Sequence, residues 1–279
     1  MRHKNSYQLN IKPIIFPFLL GLVFIALTGC ETDETQEVVT YTNLVFADEF
    51  DTEGTPDTSI WKFDIGRGEN ADGWGNQELQ YYTDRTENIK VENGYLLITA
   101  REEAYEGAAY TSARINTKGL FEQKYGRFEA RIRLPYGKGL WPAFWMLGND
   151  SDTNIWPQCG EIDIMENLGS APATVFGSLH GPGYSAGEAE TKEYTLPNDR
   201  FDTKFHVFGI EWGPNYINYY VDNKLYNQIT PDDVNGEWVF DHPFYIILNV
   251  AVGGSFPGSP NAETVFPQTM VVDYVRVYQ

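Results

Sequence analysis

From Tyr125 to Leu134 the chain reads YGRFEARIRL, so that Phe128, Ala130, Ile132 and Leu134 alternate with Arg127, Glu129, Arg131 and Arg133. A period of two suits a strand with one packed and one wet face, whereas the 3.6-residue turn of a helix would scatter the same side chains around its axis. The pattern recurs along the chain. Short β-branched and aromatic runs such as FHVFGIEW, YINYYVDNKLY, FYIILNVAVGG and the closing MVVDYVRVYQ are separated by turn signals. In IKVENGYLLITA the pair Asn93-Gly94 sits where a tight hairpin needs it. Few segments carry the i, i+3, i+4, i+7 spacing of an amphipathic helix at length. These patterns predict an all-β chain, an antiparallel sandwich of two sheets. Residues 42–279 are ordinary in length for one such domain and show no internal repeat, Pro/Gly-rich linker or break in composition.

Against that background the stretch CGEIDIMENLG, Cys159 to Gly169, sets Glu161, Asp163 and Glu166 among Ile162, Ile164 and Met165. Carboxylates are costly to desolvate and repel one another, so the choice needs a reason. On a strand, Glu161 and Asp163 share one face while Ile162 and Ile164 pack on the other. Simple alternation then sends Glu166 to the wrong face. One extra residue in a β-bulge would bring all three acids into one groove, whereas a strand ending at Met165 would leave Glu166 in a loop. A solvent-facing acidic edge is a third reading, and spacing leaves all three open. GLWPAFWMLG, read as a strand, puts Trp141, Ala143 and Trp145 on one face and Phe144 and Met146 on the other. Core packing is the usual fate of tryptophan. Here both faces are apolar and one of them must cover something; the apolar C–H faces of pyranose rings stack on indoles, so a sugar-binding cleft fits.

Taken together, GEIDIMEN, GLWPAFWMLG, GWGNQELQYYT, YTSARINTKG and VVDYVRVY resemble glycoside hydrolase family sixteen, and within it the laminarinase-like endo-β-1,3-glucanases, from about Val45 to Gln279. GWGNQELQYYT is the segment that points to laminarinases over agarases or carrageenases. The resemblance implies a β-jelly-roll sandwich of two antiparallel sheets, an open substrate cleft on the concave face, and hydrolysis with retention at the anomeric carbon. It implies Glu161 as the nucleophile, Glu166 as the general acid/base, and Asp163 as the residue that holds the nucleophile's geometry and protonation. Carboxylates suit these roles: one attacks the anomeric carbon while another, kept protonated by its neighbours' charge, gives a proton to the leaving oxygen. Crowded like charges separate the pKa values and so divide the labour. No cofactor is expected for catalysis.

The same resemblance makes Trp141 and Trp145 cleft tryptophans and places Asn76, Arg114 and His180 near the cleaved linkage. Each also has a plainer reading, since asparagine makes turns, arginine makes surface ion pairs and a lone histidine is commonly structural. Trp74 and Trp156 either line the cleft or pack. Cys159 lies two residues before Glu161, but no partner base is indicated and a free cysteine commonly behaves as a small apolar residue. A structural calcium, remote from catalysis and held partly by backbone carbonyls, is implied at Glu49, Gly94 and Asp273, because oxygen ligands suit a hard cation. The plainer reading there is a hairpin, a strand end and a surface acid.

At the start of the chain, Arg2, Lys4 and Lys12 precede an apolar run from Ile14 to Leu27 that ends in LTGC. The run is short for a membrane span, and small residues ahead of a cysteine suit a processed peptide. LTGC resembles a bacterial lipobox, which implies that residues 1–29 are a signal peptide and Cys30 the lipidated residue. Residues 30–41 are acidic and Thr-rich, and read as a tether. A lipidated Cys30 leaves Cys159 without an intrachain partner, so no disulfide framework is expected. An exported lipoprotein of the outer membrane or cell surface follows, a periplasmic location also fitting, and a monomer is expected. The chain holds 20 basic and 39 acidic residues; the first 29 residues take away three basic and no acidic ones, leaving a net charge of −22. That charge argues against nucleic acid or anionic lipid as the ligand. The partners that the two resemblances imply are a β-glucan and, through the lipid, a membrane. Competing readings are a mixed-linkage β-1,3-1,4-glucanase, an algal galactan hydrolase on the same fold, and a non-catalytic β-glucan-binding protein; retention of the three acids argues for an enzyme.

Overall fold

The computed structural model describes residues 40–279. The expected signal peptide, Cys30 and nearly all of the expected tether therefore lie outside the described residues. Among the described residues seventeen strands, numbered in chain order, form two sheets. The larger has the order β15 (Lys224–Ile229), β14 (Tyr216–Val221), β13 (His206–Gly213), β8 (Gly126–Arg133), β17 (Gln268–Tyr278), β5 (Tyr95–Tyr105), β6 (Ala108–Ser112) and β3 (Gln80–Tyr82). Also in it, β1 (Leu44–Asp48) pairs with β17, and β4 (Ile89–Glu92) pairs with β5. The second sheet, which bears the three acids, runs β12 (Glu190–Thr195), β11 (Thr174–His180), β10 (Glu161–Asn167), β9 (Leu140–Gly148), β16 (Phe244–Val252), β7 (Arg114–Asn116) and β2 (Lys62–Asp64). The helical pieces are single turns at Glu69–Ala71, Gly73–Gln77 and Ala186–Glu188.

Alternation in β8 behaves as its sequence demands. Phe128, Ala130 and Ile132 are buried between the sheets, while Arg127 and Glu129 on the outer face pair with each other at 2.9 Å and Arg127 reaches Glu211 at 3.1 Å. From the acid-bearing sheet, Phe144, Met146, Ile162, Ile164, Met165, Ile246 and Leu248 complete the same core. Full burial of each such side chain is worth about 1.5–3 kcal/mol, which fixes which face of the strand looks inward.

The β4–β5 hairpin closes through Asn93 and Gly94, at φ 56° and 76°, between the paired Glu92 and Tyr95. Two successive left-handed residues are what a two-residue turn needs to match the twist of its strands. One pairing departs from the antiparallel expectation: β3 and β6 are parallel. β3 runs along β6 and, after the jog at residues 83–88, the chain continues in the same direction as β4 along β5. Because β5 is antiparallel to both β4 and β6, β3 must be parallel to β6.

Candidate active site

β10 contains a bulge, one of the readings that the spacing of its acids left open. Its pairing with β9 slips between Asp163 and Met165, and its pairing with β11 slips between Asp163 and Glu166. The extra residue sends both Ile164 and Met165 into the core and returns Glu166 to the face of Glu161 and Asp163. Register then gives each acid its neighbours. Glu161 lies between Leu147 of β9 and His180 of β11, Asp163 between Trp145 and Ser178, and Glu166 between Ala143 and Phe176.

Asp163 and Glu166 are buried and Glu161 only slightly exposed. Burial is the main reason that all three carboxyls titrate far above the usual range, at about 8. The charge of Asp163 raises Glu161 and Glu166 further, whereas the positive side of His180 lowers both. Arg114 lowers Glu161 as well. Carboxyls so crowded cannot all ionise, and the basic groups favour Glu161 for the negative charge. Glu166 Oε1 accepts the Trp141 indole N–H at 2.8 Å. His180 Nδ1 accepts the Ala186 backbone N–H at 3.1 Å, so a neutral ring carries its proton on Nε2. That nitrogen lies 3.0 Å from Asp163 Oδ2 and 3.7 Å from Glu161 Oε1. Among the described residues, Glu161, Asp163 and His180 form the one grouping whose ligand atoms lie near enough to hold a metal, within 4.8 Å of one another.

The remaining expected cleft residues gather on the same face. Trp141 and Trp145 are half-buried, but Trp145 is less free to stack on a sugar than its sequence suggests. Its indole N–H donates to Asn249 Oδ1 at 2.7 Å, and its ring lies 4.8 Å from the guanidinium of Arg114. Trp74 covers the guanidinium at the same distance, and Asp64 pairs with Arg114 at 2.8 Å. Thus Arg114 meets two indoles with its ion-pair partner in place, which fixes its position. Trp74 itself holds φ 58° in a turn where Asn70, Ala71 and Gln77 are also left-handed. Such strain in non-glycine residues persists where the surroundings impose it and collects at functional sites. Gly73 is required there, since a Cβ would stand 2.5 Å from the Glu78 nitrogen. Asn76 donates to Glu78 at 3.2 Å, and Trp156 is exposed with its ring 5.9 Å from that of His180.

Three participants escaped sequence reasoning. Asn249 is a lone polar residue in the wholly buried β16, a signal that was available. Glu78 lies inside GWGNQE and is buried. Phe256 is exposed in a loop and meets Trp141 and Phe176 edge-on at 5.4 and 5.6 Å; nothing local in the sequence marks it. Cys159 is buried and free, with burial pushing its thiol up to about 11, so it stays protonated and is no nucleophile.

At the expected calcium ligands the carboxylates are already paired. Both Glu49 oxygens accept from Arg276, at 2.7 and 2.9 Å, and Asp273 pairs with Arg131 at 2.5 Å. Both carboxylates are thus neutralised by guanidinium groups, so their side chains as arranged offer a divalent cation little net charge. The turn explains Gly94 without one.

Residues 74–276 match the family described as glycosyl hydrolases family 16. The chain belongs to that family. As a family 16 member it is a glycoside hydrolase on a β-jelly roll. A beta-glucanase of Rhodothermus marinus is 44% identical over 276 residues, covering 94% of this chain and 93% of the relative. The laminarinase catalytic domain of Thermotoga maritima MSB8 superposes with a TM-score of 0.81 at 52% identity, covering 85% of this chain and 98% of that one. An endo-beta-1,3-glucanase of Pyrococcus furiosus does so with a TM-score of 0.81 at 50% identity, over 85% and 94%.

Proposed function

We propose that this family 16 hydrolase is an endo-acting, retaining β-1,3-glucanase. The observation that carries the reading is the bulged β10, which turns Glu161, Asp163 and Glu166 into one groove bordered by Trp141 and Trp145. Beside it stand the β-1,3-glucanases that the chain resembles over most of its length. Glu161, whose ionised form both His180 and Arg114 favour, attacks the anomeric carbon and forms a glycosyl ester. Glu166 gives its proton to the departing glycosidic oxygen. It then takes a proton from the water that attacks the ester, and Glu161 leaves as carboxylate with the anomeric configuration retained. Trp141 holds one Glu166 oxygen by its indole N–H, which leaves the other to carry the proton. Asp163 and His180 set the charge around Glu161, and Arg114 and Asn76 bind sugar hydroxyls. Neither calcium nor any cofactor takes part in the reaction.

Incubating residues 31–279 with laminarin, mixed-linkage β-glucan, agarose and carrageenan tests the substrate. The expected products are short β-1,3-linked oligosaccharides from laminarin. Release from mixed-linkage glucan alone would move the reading to a β-1,3-1,4-glucanase, and release from neither would remove the glucanase. In the cell, the reading extends to a monomeric lipoprotein, cut before Cys30 and displayed on the outer membrane by residues 30–41. Cys30→Ala should move the protein from the membrane to the soluble fraction; unchanged partitioning would remove the lipid anchor.

A further inference from the structure

Glu78 is a buried carboxyl group that the proposed reaction does not use, and three side chains donate to it. Asn76 Nδ2 reaches Oε1 at 3.2 Å, while Gln80 Nε2 and the Tyr82 hydroxyl reach Oε2 at 2.6 and 3.3 Å. The direction of these bonds is fixed from their far ends. The Trp145 indole N–H can only donate, so Asn249 must present its oxygen to it, at 2.7 Å. The amide nitrogen of Asn249 then faces Tyr82 and donates to the hydroxyl oxygen at 3.1 Å. Having accepted there, Tyr82 has its own proton to give, and Glu78 receives it. A second branch behaves alike: the Val252 backbone N–H donates to Gln80 Oε1 at 2.7 Å, which turns the Gln80 amide nitrogen to Glu78. Two obligate donors, an indole and a backbone amide, thus begin chains that end on one carboxylate. A group without an acceptor at the Oε2 position would leave both the Gln80 amide and the Tyr82 hydroxyl without a partner in a buried site, where an unsatisfied polar group is costly.

We propose that Glu78 is a positioning residue for glucan binding, the acceptor that orients Asn76 directly and Trp145 through Tyr82 and Asn249. Because Trp145 and Trp74 both meet Arg114, the same chain fixes the guanidinium at the cleft. The proposal rests on the reading of this cleft as a β-1,3-glucan site.

Glu78→Leu keeps the approximate size of the side chain and removes both acceptor oxygens. It should raise KM for β-1,3-gluco-oligosaccharides about tenfold, the scale of one hydrogen bond to a charged group. Chemistry lies elsewhere, so kcat should stay within about twofold. In a Trp145→Phe background, where the indole donor is gone, Glu78→Leu should cost less than in the native protein, and this coupling is what a residue supporting only the fold would not show. The indole N–H resonance of Trp145, assigned by its loss in Trp145→Phe, should shift in Glu78→Leu with no substrate present. An unmoved indole signal together with an unchanged KM would overturn the proposal, as would an equal KM penalty in both backgrounds. Should Glu78→Leu not fold, Glu78→Gln keeps an acceptor oxygen for Gln80 and Tyr82 and should retain the indole signal near its native position; a signal lost there would also count against it. If the native enzyme left β-1,3-glucan uncut, the functional reading would fail, while the indole measurement would still decide the chain.

Discussion

Glu166 feels opposing influences. Burial and the charge of Asp163 raise its pKa to about 8, against the pull of His180 and the Trp141 N–H toward the ionised form. An unfolded glutamate titrates at about 4.3, so between roughly pH 4 and 8 the folded chain binds more protons here than the unfolded one. Its stability must fall as pH rises through that window. Glu166→Gln removes the group without changing its size, and its melting temperature should draw level with the native protein near pH 5 and exceed it increasingly toward pH 8. Each kcal/mol so relieved is worth about 2–4 °C for a domain of this size. A difference independent of pH in paired melting curves would show that Glu166 is not held protonated. At this scale the sequence was legible where function depends on local spacing: the two-residue period placed Glu161 and Asp163, and the pair I-M before Glu166 made a bulge one of the open readings. Arg114 was not legible in the same way. Its neighbours Trp74, Trp145 and Asp64 come from separate segments: the register of β2, β7, β16 and β9 brings Asp64 and Trp145 beside it, and the turn at Gly73–Gln77 supplies Trp74.

β10 works because its two faces answer to different demands. Ile162, Ile164 and Met165 anchor it in the core, and that anchoring holds the acids on the other face against their repulsion. The larger sheet serves as the support for this arrangement, and its hairpin offers a clean test of element against site. At Gly94 a Cβ would meet nothing within 4 Å, so Gly94→Ala suffers only the left-handed backbone. The cost should be about 1–2 kcal/mol, read as a lower melting temperature, with kcat and KM on laminarin unchanged. No loss of stability would contradict the two-residue turn at Asn93-Gly94. That turn was readable from two letters, since its geometry is local. The parallel β3–β6 pair was not, because it follows from where the chain re-enters the sheet beyond residues 83–88.

For the molecule as a whole, alternation told of strands, and the spread of recognisable motifs from Val45 to Gln279 told of one jelly roll; neither could tell the order of strands in each sheet, which depends on pairings between distant segments. A strongly acidic surface suits a neutral polysaccharide, which is neither drawn nor repelled by it. Aromatic side chains beside the acids, Trp141 with Phe256 next to Glu166 and Trp156 next to His180, suit a sugar chain laid across them. What unites these features is the claim that Glu161 attacks the sugar and forms a covalent intermediate. Glu161→Ala, given laminarin and azide, tests it most directly. The account predicts that the variant alone releases no oligosaccharide and that azide restores cleavage, yielding a glycosyl azide of α configuration. Near-native hydrolysis without azide, or a β-glycosyl azide with it, would contradict Glu161 as the nucleophile.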